Sequence, residues 1–484
     1  MKTLSQSMCY VLGALGFVLA MGLVPASASA ASKKPNFVFF LVDDLGYGDI
    51  GIYGSDYHQT PAVDKLAAEG MRFTQGYAAC TVCSPSRAAI MTGCYPGRLH
   101  LTDWITGHRR RNPKLLIPDW KMHIDHERVT VAEALKEAGY RTMFAGKWHL
   151  MPIRNKKIFD QHYPTNHGFD LNVGGREWGQ PKGRGKYFAP FNMPNLEGQK
   201  GDYLTDRLTD ESIKFIEASK DKPFFLYLSY YAVHGPLMAP KPMVQKYADR
   251  AKHPSDGGKW KGRVTPVYAA MVEAVDKSVG RIMATLEKLK LDDNTVVIFT
   301  ADNGGTSQAS SGGLRGAKAT AWEGGVREPF IIKWPGVTKP GSVTPSLAIG
   351  TDFYPTMLEM AGLPLRPKQH LDGVSLVPVL KGGPADTQRT LYWHYPHYHK
   401  TKPYGAIRDG DWRLVEFFED GALHLFNLKD DPAEKKNLAE SDAAKAKQLH
   451  EKLIAWRQSV DAQMPTPNPK HGQDAKPAKK KRKK

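Results

Sequence analysis

Short runs of β-branched and aromatic residues alternate with helix-patterned stretches along most of this chain. The runs are NFVFFLV (36–42), YRTMFAG (140–146), PFFLYLSY (223–230), TVVIFTA (295–301) and PFIIKW (329–334). Around and between them, apolar spacing predicts helices over 60–69, 130–138, 202–218 and 268–289. The last carries Met271, Val275, Val279, Ile282 and Leu286 on one face. Strands separated by helices cannot close as tight hairpins and pair in parallel through crossovers instead. The fold class expected is therefore α/β, a large mostly parallel or mixed sheet flanked by helices.

Near residue 365 the texture changes. AIRDGDWRLVEFF and GALHLFNL read as antiparallel strands joined by turns, and a helix is expected at 440–458. This predicts a catalytic domain over 35–364, a smaller C-terminal α+β subdomain over 365–460, and a basic, disordered tail over 461–484. The chain's net charge is +18, and seven basic residues fall in the last nine, KPAKKKRKK. Such a tail suits contact with a polyanion, but no nucleic-acid recognition motif accompanies it. At the other end, Lys2, the apolar stretch from Met8 to Val24 and the small residues ASASA predict an export signal over 1–30. A periplasmic or extracellular protein is then expected. A retained membrane anchor is the alternative for so long an apolar run.

The residues just past each strand carry the chemistry. The first run ends in Asp43-Asp44, the second in Lys147 and His149, the third leads to His234, and the fourth to Asp302-Asn303. Ligands of open parallel sheets bind beyond the carboxyl ends of the strands, so these residues are expected at one edge. Asp43, Asp44, Asp302 and Asn303 offer only oxygen, a set suited to Ca²⁺ or Mg²⁺ rather than zinc. Arg87, Lys147 and Lys318 would make the surroundings positive, as binding of a tetrahedral oxyanion ester requires. His234 reads equally as an ordinary loop residue, and Lys318, on the local sequence alone, more readily as a surface loop lysine.

Of four cysteines, Cys83 stands out in AACTVCSPSRAAIMTG (78–93). Ser84 suits an N-cap, Pro85 the first helical position and Gly93 the helix end, so Cys83 is expected beside a helix N-terminus that favours negative charge. It is either a low-pKa thiolate or a precursor of another anion-handling group. Cys80-x-x-Cys83 also has redox-pair or half-zinc spacing, with no convincing second ligand pair.

In these motifs the chain resembles the type I sulfatases, formylglycine-dependent members of the alkaline-phosphatase-like superfamily. VCSPSRAAIMTG (82–93) looks like their active-site signature and GYRTMFAGKWH (139–149) like their second signature. NFVFFLVDDLGYGD (36–49), IFTADNGG (298–305), LRGAKATAWEGGVREPFI (314–331), TDFYPTMLEMAGL (351–363) and LFNLKDDPAEKKNLA (425–439) are also similar, in the family's order. The resemblance implies that a formylglycine-generating enzyme oxidises Cys83 to Cα-formylglycine (3-oxoalanine). Its hydrate would attack sulfur and contribute an oxygen to the Ca²⁺ held by Asp43, Asp44, Asp302 and Asn303. Lys147, Lys318 and Arg87 would offset charge on the sulfuryl oxygens. His234, with Lys318, would protonate the leaving oxygen, and His149 would deprotonate the remaining hydroxyl. The family often adds a hydroxyl residue after the second signature, and GFDLNVGGREWG (168–179) offers no clear counterpart.

LTDWITGHRRRNP (101–113) and YWHYPHYHK (392–400) are aromatic and basic, as a sulfated-sugar site needs. Trp104, His108, Arg109 and His394 are the substrate-binding candidates, although Trp104 and Trp393 read equally as core. The resemblance favours a sulfated carbohydrate, as in galactosamine-6-sulfate-type enzymes, or an aryl sulfate. The alternatives are a phosphodiesterase or phosphonate monoester hydrolase on the same scaffold, and a non-catalytic sulfated-glycan-binding protein.

Overall fold

The computed structural model describes residues 34–153, 159–252 and 265–472. The export signal expected over 1–30 and the lysine-rich end from 473 lie outside the described residues. An eight-stranded sheet is built from β1 (Asn36–Val42), β2 (Met71–Tyr77), β4 (Arg141–Gly146), β5 (Leu171–Val173), β6 (Phe224–Ser229), β7 (Thr295–Ala301), β8 (Phe330–Lys333) and β9 (Ser342–Ile349). A two-residue β3 (Leu115–Leu116) lies outside it, and the strand order is β5-β4-β6-β1-β7-β8-β2-β9.

Every residue of β1 is buried, and its alternate side chains serve two cores. Val38, Phe40 and Val42 pack with the helices Leu204–Ser219 and Pro266–Lys288. Phe37, Phe39 and Leu41 face the other way, with Ala88, Ile90 and Met91 of the Cys83–Thr92 helix and Phe353 and Met357 of the Phe353–Met360 helix. Helices thus cover both faces, as a parallel sheet demands.

Parallel pairing aligns the strand ends. Val42 sits opposite Ala301, Leu41 opposite Ser229, and Ser229 opposite Gly146. The chain therefore leaves β1, β4, β6 and β7 at one edge. Backbone bonds lock these exits: Asp43 N–H donates to Ala232 O (3.0 Å), Asp302 N–H to Val42 O (3.1 Å) and Lys147 N–H to Ser229 O (2.7 Å). Gly146 is required here, because its φ is +103° and a Cβ would lie 1.8 Å from Ser229 O.

Two expectations change. PFIIKW does not join the parallel set, since β8 runs antiparallel to both β7 and β2. No crossover helix carries the chain from β7 back to the far edge, so it re-enters the sheet from the site edge and runs the other way. The strands β2 and β9, absent from the sequence reading, complete the sheet in parallel with each other.

A second sheet holds β10 (Thr390–Tyr395), β11 (Tyr404–Asp409), β12 (Trp412–Phe417) and β13 (Leu423–Asn427), antiparallel throughout. The helix Ala443–Ser459 packs on it through Leu449, Leu453 and Trp456. The same cluster includes Tyr77, Val82 and Ala89 of the first sheet and its helix, so the two sheets share a core. Trp393 is part of that core, 2% exposed, with Nε1 donating to Ala78 O at 2.9 Å. A final two-residue strand, β14 (Thr466–Pro467), pairs with β3 and brings the end of the described chain back to residues 112–116.

His394, on β10, is buried against Phe418, and its Nε2 meets Gln463 O at 2.9 Å. Burial pushes its pKa down to about 4, below the unfolded value near 6.5. The unfolded chain binds the extra proton, so the stability this neutral ring contributes is present above pH 6.5 and lost as pH falls toward 4. Relative to His394→Phe, the parent is expected to lose about 2 kcal/mol between pH 7 and pH 5. Urea unfolding of both proteins at the two pH values measures this; an unchanged difference refutes it.

Candidate functional site

Strand exits and one helix start build the site. Cys83 is the first residue of the Cys83–Thr92 helix, whose N-cap position is Val82 with extended backbone. Ser84 does not cap the helix. Its hydroxyl donates to His149 O (2.9 Å) and accepts from Ile105 N–H (3.2 Å), tying the helix start to the β4 exit and to the 101–106 loop. Gly93 ends the helix at φ +66°, as the sequence predicts.

Four charged side chains interlock behind Cys83. Lys147 Nζ donates to Asp43 Oδ2 (2.6 Å), and Arg87 Nε donates to Asp302 Oδ2 (2.8 Å). Arg87 Nη1 also donates to Lys147 O and to Ser229 Oγ, both at 2.6 Å, and Ser229 Oγ donates to Lys147 O at 2.9 Å. One guanidinium thus joins the helix to β4, β6 and β7. Lys318 Nζ and Asn303 Nδ2 both donate to Asp44 Oδ1, at 2.6 and 2.8 Å. His234 Nε2 lies 3.6 Å from Asp44 Oδ2. Asp43, Asp44, Lys147, Asp302 and Asn303 are all 1% exposed or less.

The charges do not cancel locally. Burial pushes the Asp43 carboxyl up, and Asp302 and Asp44 add to this against the pull of Lys147 and Arg87. Burial also raises Asp44, but Lys318 and His234 reverse it and hold that carboxyl below its ordinary range. Asp43 Oδ1 and Asn303 Oδ1 are buried without a hydrogen-bond partner. Buried acceptors of this kind call for a donor or a cation. Asp43, Asp44 and His234 place one ligand atom each within 4.8 Å of one another.

His149 faces Cys83. Its Nδ1 is 3.4 Å from Cys83 Sγ, and its Nε2 contacts Ile105 O. A carbonyl accepts only, so Nε2 carries the proton and the Nδ1 lone pair points at Cys83. Burial, then Lys147, holds this ring neutral, well below its ordinary pKa. Gly179 presses on the ring, where a Cβ would lie 2.6 Å from Cε1. The segment in which no hydroxyl counterpart was evident thus supplies a close-approach glycine. Burial also raises the Cys83 thiol, against Lys147 and Lys318, so the low-pKa thiolate reading is not upheld. Cys80, Cys83 and Cys94 are all buried and free in this structure.

Cys83, His149, His234 and Lys318 open onto a cavity of about 390 Å³ that Trp104 and His399 also line. A second cavity of about 600 Å³ meets it at Thr106 and is lined by His108, Arg109, Arg110, Trp120 and Tyr398. Trp104 therefore belongs at the Cys83 cavity, while His108 and Arg109 belong to the second one. His394 belongs to neither, because strand alternation turns it into the β10–helix core. Sequence reading missed His399, which lies in the loop just past β10, and Ser229, the last residue of β6. Both sit at strand ends, the signal used for the others.

Residues 35–363 match the sulfatase family, and residues 317–459 match the family described as N-sulphoglucosamine sulphohydrolase, C-terminal. The chain is 34% identical over 419 residues to N-acetylgalactosamine-6-sulfatase of Canis lupus familiaris, covering 80% of this chain and 74% of that protein. It is 32% identical over 482 residues to arylsulfatase A of Homo sapiens, covering 88% and 87%. Among solved structures, it resembles Ps i-CgsB in complex with k-i-k-neocarrahexaose, with a TM-score of 0.73, 29% identity, and coverage of 89% and 94%.

Replacing Arg87 with Lys keeps the charge but removes the fork that reaches Asp302, Lys147 O and Ser229 together. The variant is expected to lose roughly 2–4 kcal/mol of stability. Urea unfolding reads this directly, and a parent-like midpoint contradicts the network's role.

Proposed function

This chain belongs to the sulfatase family and is a sulfuric ester hydrolase, and from that premise we propose that it acts on a sulfated carbohydrate after conversion of Cys83 to formylglycine. The observation that carries this reading is His149 Nδ1 facing the side chain of residue 83, with its other nitrogen held on Ile105 O. A base so placed can take a proton from a hydroxyl-bearing side chain at 83 as it could from a thiol, and the sulfatase family match favours the former.

Asp43, Asp44, Asp302 and Asn303 would hold Ca²⁺, with Mg²⁺ the alternative. The unpartnered oxygens of Asp43 and Asn303 and the all-oxygen donor set fit a hard cation. When present, the cation would neutralise sulfuryl oxygen charge, and the hydrated formylglycine would supply the attacking hydroxyl. Lys147 and Arg87 fix the carboxylates and set the positive field. Lys318 stays protonated, because its attraction to Asp44 and the other acids outweighs the burial that would lower its pKa. His234 is pushed down to about 4 by burial and Lys318. The resident proton on the leaving-group side is therefore on Lys318. An arriving anionic ester would offset Lys318 and raise the proton affinity of His234, letting the pair deliver a proton to the departing oxygen. His149 Nδ1 takes the proton from residue 83 in the step that releases sulfate.

Trp104 and His399 beside Cys83 suit a sugar ring at the cleavage position. Arg109, Arg110 and Tyr398 in the adjoining cavity suit further anionic sugar units, with Arg110 stacked 4.8 Å over the Tyr398 ring. The likeness to a structure holding a neocarrahexaose supports this substrate class. Export is part of the proposal, resting on the N-terminal apolar stretch. Among the described residues no helix is long and apolar enough to cross a membrane.

Two measurements test this. Tryptic peptide 73–87 from protein made in its native host contains Cys80 and Cys83; only Cys80 is expected to alkylate, with residue 83 at the aldehyde mass. Complete alkylation of both, in protein that still hydrolyses sulfate esters, defeats the formylglycine reading. Separately, adding Ca²⁺ to chelator-stripped protein is expected to raise Tm by several degrees, and Asp302→Ala to abolish the shift. A parent Tm indifferent to Ca²⁺ and Mg²⁺ refutes the assigned oxygen set.

A further inference from the structure

Away from the catalytic cavity, two histidine pairs meet beneath Trp148. His123 and His126 precede the Val131–Glu137 helix, and His162 and His167 end two short 3-10 turns, Asp160–His162 and Pro164–His167. The pairs are spaced H-x₂-H and H-x₄-H. His162 and His167 are buried, His123 is half-buried and His126 is exposed. The ring of His126 stacks on both His162 (4.8 Å) and His167 (4.9 Å), and His123 stacks on His162 at 4.1 Å.

The polar atoms of this cluster are poorly served by the protein. His162 Nδ1 and His167 Nε2 share a long hydrogen bond of 3.3 Å. His167 Nδ1 is buried without a partner. Among the described residues, Asp125 is the carboxylate paired with the group, through His123 at 3.7 Å.

We propose that His126, His162 and His167 bind a borderline transition-metal ion of the Zn²⁺ class, with His123 or solvent in a fourth position. One ligand nitrogen from each of the three lies within 4.8 Å of the others. Metal–nitrogen bonds of roughly 2.0–2.1 Å set tetrahedral nitrogen–nitrogen edges of roughly 3.3–3.4 Å. His162 Nδ1 and His167 Nε2 are 3.3 Å apart, and His126, stacked in a near-parallel plane over both rings, would turn to aim a nitrogen at the same point. His126, being exposed, supplies both the third arm and the entry path. An all-imidazole set selects zinc, cobalt, nickel or copper over calcium, so this site and the oxygen site at Asp43 would not compete for one ion. The ion would fasten the 123–126 segment to the turns at 160–167. Trp148 links those turns to the catalytic edge, because its Nε1 donates to His162 O at 2.8 Å and its neighbour is His149.

The test uses the full chain kept in millimolar Ca²⁺, so that the oxygen site is occupied, and titrates Co²⁺ and Zn²⁺. One equivalent of Zn²⁺ is expected to survive gel filtration and to raise Tm, and Co²⁺ is expected to give the visible bands of a four-coordinate nitrogen site. His126→Ala removes an exposed ligand, so its metal-free Tm should match the parent while its Zn²⁺ affinity falls by about a hundredfold or more. His126→Gln serves as a second variant with the same expectation. No retained Zn²⁺ in the parent overturns the proposal. So does parent-like binding by both variants, or binding lost in Asp302→Ala but kept in His126→Ala, which would place the ion in the catalytic pocket.

Discussion

The buried guanidinium of Arg87 is the contact on which the rest of this site depends. It reaches Asp302 at the end of β7, the carbonyl of Lys147 at the end of β4 and Ser229 at the end of β6. The helix that presents Cys83 is thereby keyed to three strands at once. Burying a carboxylate cluster is costly unless cations and donors surround it, and here Arg87, Lys147 and Lys318 do so in nearly dry surroundings. The arrangement is still incomplete in itself, because oxygens of Asp43 and Asn303 remain without partners. A structure tuned for stability alone would have paired them or replaced them with apolar groups.

The same constraint explains the irregular local choices. The Cys83–Thr92 helix starts without a side-chain cap, although serine is the second residue of the helix. Ser84 instead bridges His149 and Ile105, and those two residues set the orientation of the imidazole facing Cys83. Asp44 and His149 both adopt positive φ, at 63° and 57°. Non-glycine residues take that conformation reluctantly, and both sit where the chain turns out of a strand into the site. Local propensity gives way at the residues where the chemistry is assembled.

The second sheet contributes to the site through its connections. The loop after β10 brings His399 to the Cys83 cavity, and Tyr398 to the neighbouring one. The end of the described chain returns through β14 to residues 112–116, where Asn468 N–H donates to Lys114 O and Asn468 Nδ2 to Pro113 O. The arginine-bearing 106–116 loop is thus held from below by a segment more than 300 residues away in sequence.

The periodicity of apolar runs was enough to require an α/β fold, because burial on both faces leaves a parallel strand few ways to look. The residues just past those runs, Asp43, Asp44, Lys147, His149, His234, Asp302 and Asn303, stood out for a related reason: parallel strands all deliver their ends to one edge. β2 and β9 escaped notice, being amphipathic and partly polar, and the direction of β8 depends on how a long loop returns. His394 looked like a ligand-binding residue because an aromatic, basic segment reads the same in a strand as in a loop. Strand alternation buried it and left His399 to reach the cavity. Sequence alone therefore determined the layer architecture and the chemistry available at one sheet edge, since both arise from short-range patterns. Which face each side chain takes, which nitrogen of His149 is free, and whether four scattered histidines meet were decided by tertiary packing, because those depend on contacts between segments that no local pattern relates.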